Sequence, residues 1–283
     1  SNFVKGWGPQ SGSIALGGSE TGKPHGETSK KALMAVRIKL CADRRPAGRR
    51  THVTALRRSS ADGGLVCYKG GWSAEALVDA LLGAVDVVNV GDNLFHRHKF
   101  MQRSRTSTLL SAAGLPTYPN TADGMLQLAT ESYYRLLNCG LRLAAGAGSA
   151  TGVKSNPAGY NRAYVRVPAG ATPREFLAAW RRGRNFVTNG PMLLLTANGA
   201  EPGDTVALPG GGGKVHLRAE ALSPTPLRDV RIVVNGEIVA RGTSSALEAD
   251  ITIERGAWIA AMATTDDGMP AAVLARYRQS SRL

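Results

Sequence analysis

Cysteine is nearly missing from this chain: Cys41, Cys67 and Cys139 are the only three in 283 residues, widely spaced and odd in number. That excludes a disulfide framework and a cysteine-based zinc site, both of which need close, paired spacings. Long apolar runs are missing too. None approaches the roughly 18 residues of a membrane span, so the chain reads as soluble, with no membrane span. It begins Ser1-Asn2-Phe3, with neither an initiator methionine nor a signal-peptide pattern. It is therefore expected to be a fragment whose compartment the sequence does not report.

Acidic residues are in short supply, with 21 Asp and Glu against 35 Lys and Arg and a formal charge of +14. A strongly basic chain suggests a nucleic-acid or membrane partner, unless the excess is local. Here it is local. Between Lys30 and Ser60 ten basic residues face Asp43 alone. The core of that stretch, Arg44-Arg45-Pro46-Ala47-Gly48-Arg49-Arg50, has no helical or strand period and no aromatic to stack on a base. Residues 42–62 are expected to form an irregular arginine-rich insertion, and no specific nucleic acid is expected as a partner. A nucleic-acid reading would require affinity that falls steeply with salt.

What is present points to two domains, a number that the length also allows. Residues 1–29 are rich in Gly, Ser and Thr and should be mostly loop, with His25 and Glu27 as an exposed pair. From Gly63 to about residue 190 strand and helix signals alternate, the pattern of parallel α/β architecture. Leu65-Val66-Cys67-Tyr68 reads as a buried strand. A helix capped by Ser73 follows, then the β-branched strand Val85-Asp86-Val87-Val88-Asn89-Val90. A second helix, capped by Thr121 or Asp123, runs to about Asn138 and leads into a strand at Leu141-Arg142-Leu143-Ala144-Ala145. Strand, short helix and strand with short links make a right-handed βαβ unit. Ala163-Tyr164-Val165-Arg166-Val167 reads as a further strand. Thr172-Pro173 opens a helix with proline at its first position, which should pack through Phe176, Leu177 and Trp180. Beyond Pro191 helical signals vanish and short alternating runs take over, with Asn235-Gly236 as a two-residue hairpin turn. The expected fold is a partial α/β domain over residues 1–190, followed by a small antiparallel β-sandwich over 191–283.

The chemistry should lie just past the carboxyl end of a strand, the active-site face of an α/β barrel. Asp92-Asn93-Leu94-Phe95-His96-Arg97-His98-Lys99 occupies that place and holds two of only five histidines in the chain. Imidazole is both the commonest metal ligand and a base that works near neutral pH, so His96 and His98 are the candidate catalytic and metal-ligating residues. Taken alone, His-x-His in a turn is a weak signature, since the two side-chain directions are not fixed. Arg97, Lys154, Asn161 and Arg162 are candidates for orienting an anionic or carbonyl-bearing substrate, guanidinium supplying a fixed donor fork. Asn161 and Arg162 read equally well as a brace between the two domains. Tyr133, Tyr134 and Trp180 read as core. The glycine-rich run after the strand at 141–145 lacks the full phosphate-loop pattern.

Several motifs, taken in order, resemble the CehA/McbA-type metallohydrolases of the polymerase and histidinol phosphatase (PHP) superfamily. They are Ala80-Leu81-Leu82-Gly83-Ala84-Val85-Asp86, Asn93-Leu94-Phe95-His96-Arg97-His98, and Tyr133-Tyr134-Arg135-Leu136-Leu137-Asn138-Cys139-Gly140. Gly148-Ser149-Ala150-Thr151-Gly152, Gly159-Tyr160-Asn161-Arg162 and Phe186-Val187-Thr188-Asn189-Gly190-Pro191 follow. The resemblance covers about residues 64–260. It implies a distorted, PHP-like β/α barrel with a divalent metal (iron, zinc or manganese) at the carboxyl ends of its strands, followed by a β-sandwich. It also implies hydrolysis of ester, carbamate or phosphoester bonds in a small-molecule substrate by metal-activated water. The chain departs from the family twice: the amino-terminal His-x-His ligand pair is missing, and Ser149-Ala150-Thr151-Gly152 stands where a late Asp-x-His pair is expected. A truncated or degenerate hydrolase and a noncatalytic glycan- or protein-binding module on a degenerate barrel therefore both remain open. The oligomeric state is not written in the sequence.

Overall fold

The computed structural model describes residues 38–40, 64–68, 74–91, 117–119, 121–149, 157–266 and 277–279. The expected loop at 1–29 and the arginine-rich stretch at 42–62 lie outside the described residues.

A four-stranded parallel sheet, ordered as in the sequence, forms the first part: β1 (Ile38–Leu40), β2 (Leu65–Tyr68), β3 (Val87–Gly91) and β4 (Ala144–Ala147). The registers Ile38↔Leu65, Cys67↔Val87 and Val87↔Ala144 are all parallel. Helix α1 (Ala74–Leu81) makes the crossover from β2 to β3, and α2 (Ala122–Asn138) lies between β3 and β4. Thr121 caps α2 by accepting a hydrogen bond from the Gly124 amide, as Ser and Thr do at helix starts. The helix lays Met125, Leu128, Tyr133 and Leu136 into a core shared with Val87, Val88 and Val90. The Arg181 guanidinium spans the lower edge of the sheet, bonding both Asp86 and the Gly64 carbonyl.

Strand β4 begins three residues later than the sequence pattern places it. The Tyr133 hydroxyl donates to the Leu143 carbonyl at 2.5 Å, so that carbonyl is spent on a side chain rather than a ladder. Its run of Ala and Gly has little strand propensity, but the small side chains are what this packing requires. A Cβ on Gly146 would lie 2.3 Å from Asn89 Oδ1 and 2.6 Å from Val87 Cγ1.

An antiparallel hairpin follows, β5 (Arg162–Val165) with β6 (Asn185–Thr188), joined through α3 (Pro173–Arg181). Helix α3 starts with the expected proline and a complete capping box between Thr172 and Glu175. Leu177 and Trp180 are buried, and Phe176 packs edge-on against Trp180. The indole Nε1–H of Trp180 and the Asn185 side-chain amide both donate to the Ala145 carbonyl, at 2.9 and 2.8 Å, and tie the hairpin to β4.

The second part is the expected β-sandwich, antiparallel except where β14 pairs with β8 in parallel. One sheet runs β11 (Glu237–Gly242), β10 (Leu227–Val234), β13 (Trp258–Thr265), β14 (Tyr277–Gln279) and β8 (Thr205–Val206). The other runs β12 (Ala246–Ile253), β9 (Gly213–Leu222) and β7 (Met192–Ala197). The turn between β10 and β11 is Asn235-Gly236, with φ of 52° and 98°, angles that few residues other than Asn and Gly adopt easily. Alternate residues of β9, Val215, Leu217, Ala219 and Ala221, fill the space between the sheets together with Leu193, Leu195, Val230 and Ile232.

Strand β13 is buried at every position. Trp258, Ala260 and Met262 belong to the core of the α/β part, whereas Ile259, Ala261 and Ala263 belong to the sandwich interior. The hairpin divides in the same way, Val187 to the first core and Phe186 to the second. Both cores therefore share a wall. The Trp258 indole, tilted against the Tyr134 ring with centroids 4.8 Å apart, donates to Asn138 Oδ1 at the end of α2. Among the described residues no helix is long and apolar enough to cross a membrane.

Candidate functional site

The carboxyl ends of β3 and β4 lie side by side, because the Gly148 amide donates to the Gly91 carbonyl at 2.8 Å. This is the mouth of the parallel sheet. His96, Arg97 and His98 follow Gly91 in the chain but lie outside the described residues, as does Lys154 between Ser149 and Pro157.

Asn161 and Arg162 are described. Asn161 is buried beside the mouth: its side-chain amide donates to the Gly148 carbonyl at 3.1 Å, and a Cβ on Gly91 would lie 3.9 Å from its Cβ. Ser149, fully buried, accepts from the Asn161 amide at 2.9 Å and donates to the Asn161 carbonyl at 3.1 Å. The two strand ends and the start of β5 are thus one hydrogen-bonded unit. Ser149 is spent on holding it. Arg162 turns elsewhere: its guanidinium donates to the Gly159 carbonyl at 2.9 Å and stands 5.9 Å from the centroid of the Tyr164 ring. Its Nε is buried with no hydrogen-bond partner among the described residues. It closes its own turn and lies along the Tyr164 side of the hairpin, away from Asn161.

Residues not singled out by the sequence also gather here. Alternation along β5 and β6 puts Ala163 and Val165 on the same face as Val187, all three in the α/β core. Asn161 continues that row at the start of β5. Asn185 and Asn189 continue it on either side of Val187. Arg162 pairs with Thr188, so Asn161 and Asn189 are the next residues outward on the two strands. Thr188 fixes the turn that carries Asn189, accepting from the Gly190 amide and donating to the Pro191 carbonyl at 2.6 Å. Deeper in the sheet Asn89 is buried and accepts from the Cys67 thiol at 3.1 Å. The readable signal for these residues is amide side chains inside otherwise apolar strands, where burial without a hydrogen bond is costly.

The donor set decides how this mouth bears on a metal. Its described polar groups are carboxamides and a hydroxyl, and no three His, Cys, Asp or Glu side chains among the described residues gather closely enough to hold an ion. Such neutral donors do not by themselves fit a firmly held iron, zinc or manganese ion, which takes imidazole and carboxylate ligands. A metal here would depend on His96 and His98.

No protein-family model matches the chain, and no curated protein matches it. Among solved structures it is similar to fibronectin(III)-like modules of Clostridium thermocellum CbhA, at 22% identity over 32% of this chain and 97% of that one, with a TM-score of 0.27. It is also similar to β-glucuronidase 2 of Bacteroides uniformis, a complex with cyclophellitol-6-carboxylate aziridine, at 14% identity and a TM-score of 0.21. Another Bacteroides uniformis β-glucuronidase matches at 13% and 0.21. The alignments cover 87% and 86% of this chain but 34% and 33% of the glucuronidases, so the chain spans about a third of their length. At these scores the architecture rests on its own strands and cores.

Proposed function

We propose that the chain is a metal-dependent hydrolase of the PHP-like kind, a degenerate member of it, acting on an ester, carbamate or phosphoester bond of a small molecule at the mouth of its parallel sheet. The observation that carries this reading is the convergence of strand ends. Gly91, from which the segment bearing His96, Arg97 and His98 departs, is hydrogen-bonded to Gly148, whose carbonyl Asn161 holds. Asn161 and Ser149 fix the backbone there, a rigid surface beside the point at which the chain leaves β3. His96 and His98 supply imidazoles to bind a metal and to move a proton. Arg97 and Lys154 supply positive charge beside an anionic or carbonyl oxygen.

Elemental analysis of the purified chain, with 4-nitrophenyl acetate and 4-nitrophenyl phosphate as test substrates, decides the matter. Bound iron, zinc or manganese and measurable hydrolysis are expected, both lost in the variant carrying His96→Ala and His98→Ala. A chain that binds no metal and hydrolyses neither ester removes the proposal.

A noncatalytic glycan- or protein-binding module is the second reading. It is favoured by the Ser149 hydroxyl, which is engaged in bracing Asn161 where a metal-ligating pair is expected. Glycan-array binding that survives the double histidine substitution would support it over the hydrolase.

A further inference from the structure

The three asparagines on the inner face of the β5–β6 hairpin differ in one respect. Asn185 gives its amide to the Ala145 carbonyl, and Asn161 gives its amide to the Gly148 carbonyl. Asn189 does neither: both its Oδ1 and its Nδ2 are sealed from solvent with no hydrogen-bond partner among the described residues. A buried carboxamide left wholly without partners bears the desolvation cost of a donor and an acceptor at once, and such groups are rare in folded proteins. Its backbone is not accidental either, since the Thr188 hydroxyl pins the turn on both sides. Exposed Gly190 is the next residue, and Asn189 itself is half-buried, so the amide sits one step in from the surface.

We propose that Asn189 is the ligand-reading residue of the mouth, and that the group it reads is neutral and both donates and accepts a hydrogen bond: the edge of an amide, or adjacent hydroxyls. This rests on the reading of the mouth as the ligand site, and it goes further by naming the chemistry recognised there. Oδ1 needs a donor and Nδ2 an acceptor. A simple ester or a fully ionised phosphate only accepts, so either would satisfy Nδ2 and leave Oδ1 buried and unpaired. A site of this kind discriminates through the group left unsatisfied more than through the bond it makes. Binding a complementary group removes both penalties together.

The test uses the full chain labelled with ¹⁵N. The Asn189 side-chain NH₂ signals are those lost in Asn189→Leu, and they are followed while acetamide, cis-cyclohexane-1,2-diol, methyl acetate or methyl phosphate, held as its acceptor-only dianion, is added. Acetamide or the diol is expected to shift them at concentrations at least about tenfold below methyl acetate, the factor that one unmet buried group imposes. Whichever of the two acts at lower concentration identifies the source of the donor-acceptor pair. Asn189→Leu should also leave the melting temperature equal to wild type or higher, whereas Asn185→Leu, which strands the Ala145 carbonyl, should lower it. The proposal is overturned if no probe moves the signals, if methyl acetate or methyl phosphate acts as well as the others, or if Asn189→Leu melts as low as Asn185→Leu. These readouts need neither metal nor turnover. Failure of the hydrolase reading, seen in the histidine variants, is therefore distinguishable from failure of this one.

Discussion

At the scale of single residues the strongest electrostatic feature is Asp229, almost fully buried at the seam of β10, β11 and β13. Burial alone would raise its pKa, but the Thr264 hydroxyl at 2.5 Å and the guanidiniums of Arg231 and Arg241 outweigh it and hold the carboxyl below the usual aspartate range. A depressed folded-state pKa contributes stability above the unfolded-state value, and that stability is lost as pH falls through the folded-state value. Urea unfolding followed from pH 7 downward should therefore show stability constant until the ordinary aspartate range is reached, then declining. Asp229→Asn should remove that acid-side dependence and cost about 1–3 kcal/mol, the range for losing charge-assisted hydrogen bonds at a buried acceptor. A cost near zero would show that the arginines are served by water instead. Arg228, which shares the Thr264 hydroxyl with Asp229, reaches Asp123 at the start of α2 with both terminal guanidinium nitrogens, at 2.7 and 3.1 Å. That pair is exposed, and little stability is expected of it.

At the scale of elements, β13 has the least usual sequence. Trp258-Ile259-Ala260-Ala261-Met262-Ala263-Thr264-Thr265 lacks the alternation of a half-exposed strand because both of its faces are interior. Enlarging either face should therefore hurt. Ala260→Leu and Ala261→Leu are each expected to cost about 1–3 kcal/mol, one by crowding the α/β core and the other by crowding the sandwich, measured as a shift in denaturation midpoint. An outward-facing position would tolerate the change. The same strand shows what could be read from sequence. Strands with one wet face, such as β9, and elements with caps or special turns, such as α2, α3 and the Asn235-Gly236 hairpin, carry local signatures. Strand β13 carries none, because its pattern depends on two partners distant in the chain. Strand β1, three residues within a basic stretch, carries no such signature, and β4, with its Ala and Gly, shows its presence but not its start: their pairing is set by neighbours, not by their own propensity. Asn161 was legible at the mouth from its place after a strand-end loop. Asn189 was not, because an asparagine before Gly-Pro reads as an ordinary turn residue.

At the scale of the whole molecule, the shared wall should make the two parts unfold as one. The backbone amide NMR signals of β9 and the helical signal of α1 to α3 are expected to be lost at the same denaturant concentration, as in two-state unfolding. Trp258→Ala should cost about 3–5 kcal/mol, since it empties a volume beside Tyr134 and strands Asn138. It should lower both signals together, and separate midpoints would show two independent bodies. The wall also has a consequence for dividing the chain. A break in the peptide after residue 190 would part Tyr134 and the end of α2 from Trp258, and so leave apolar surface bare on both pieces. Each piece would carry the surface the other lacks. The two halves, expressed separately and mixed, are thus suited to finding each other in solution and rebuilding the intact protein from its parts.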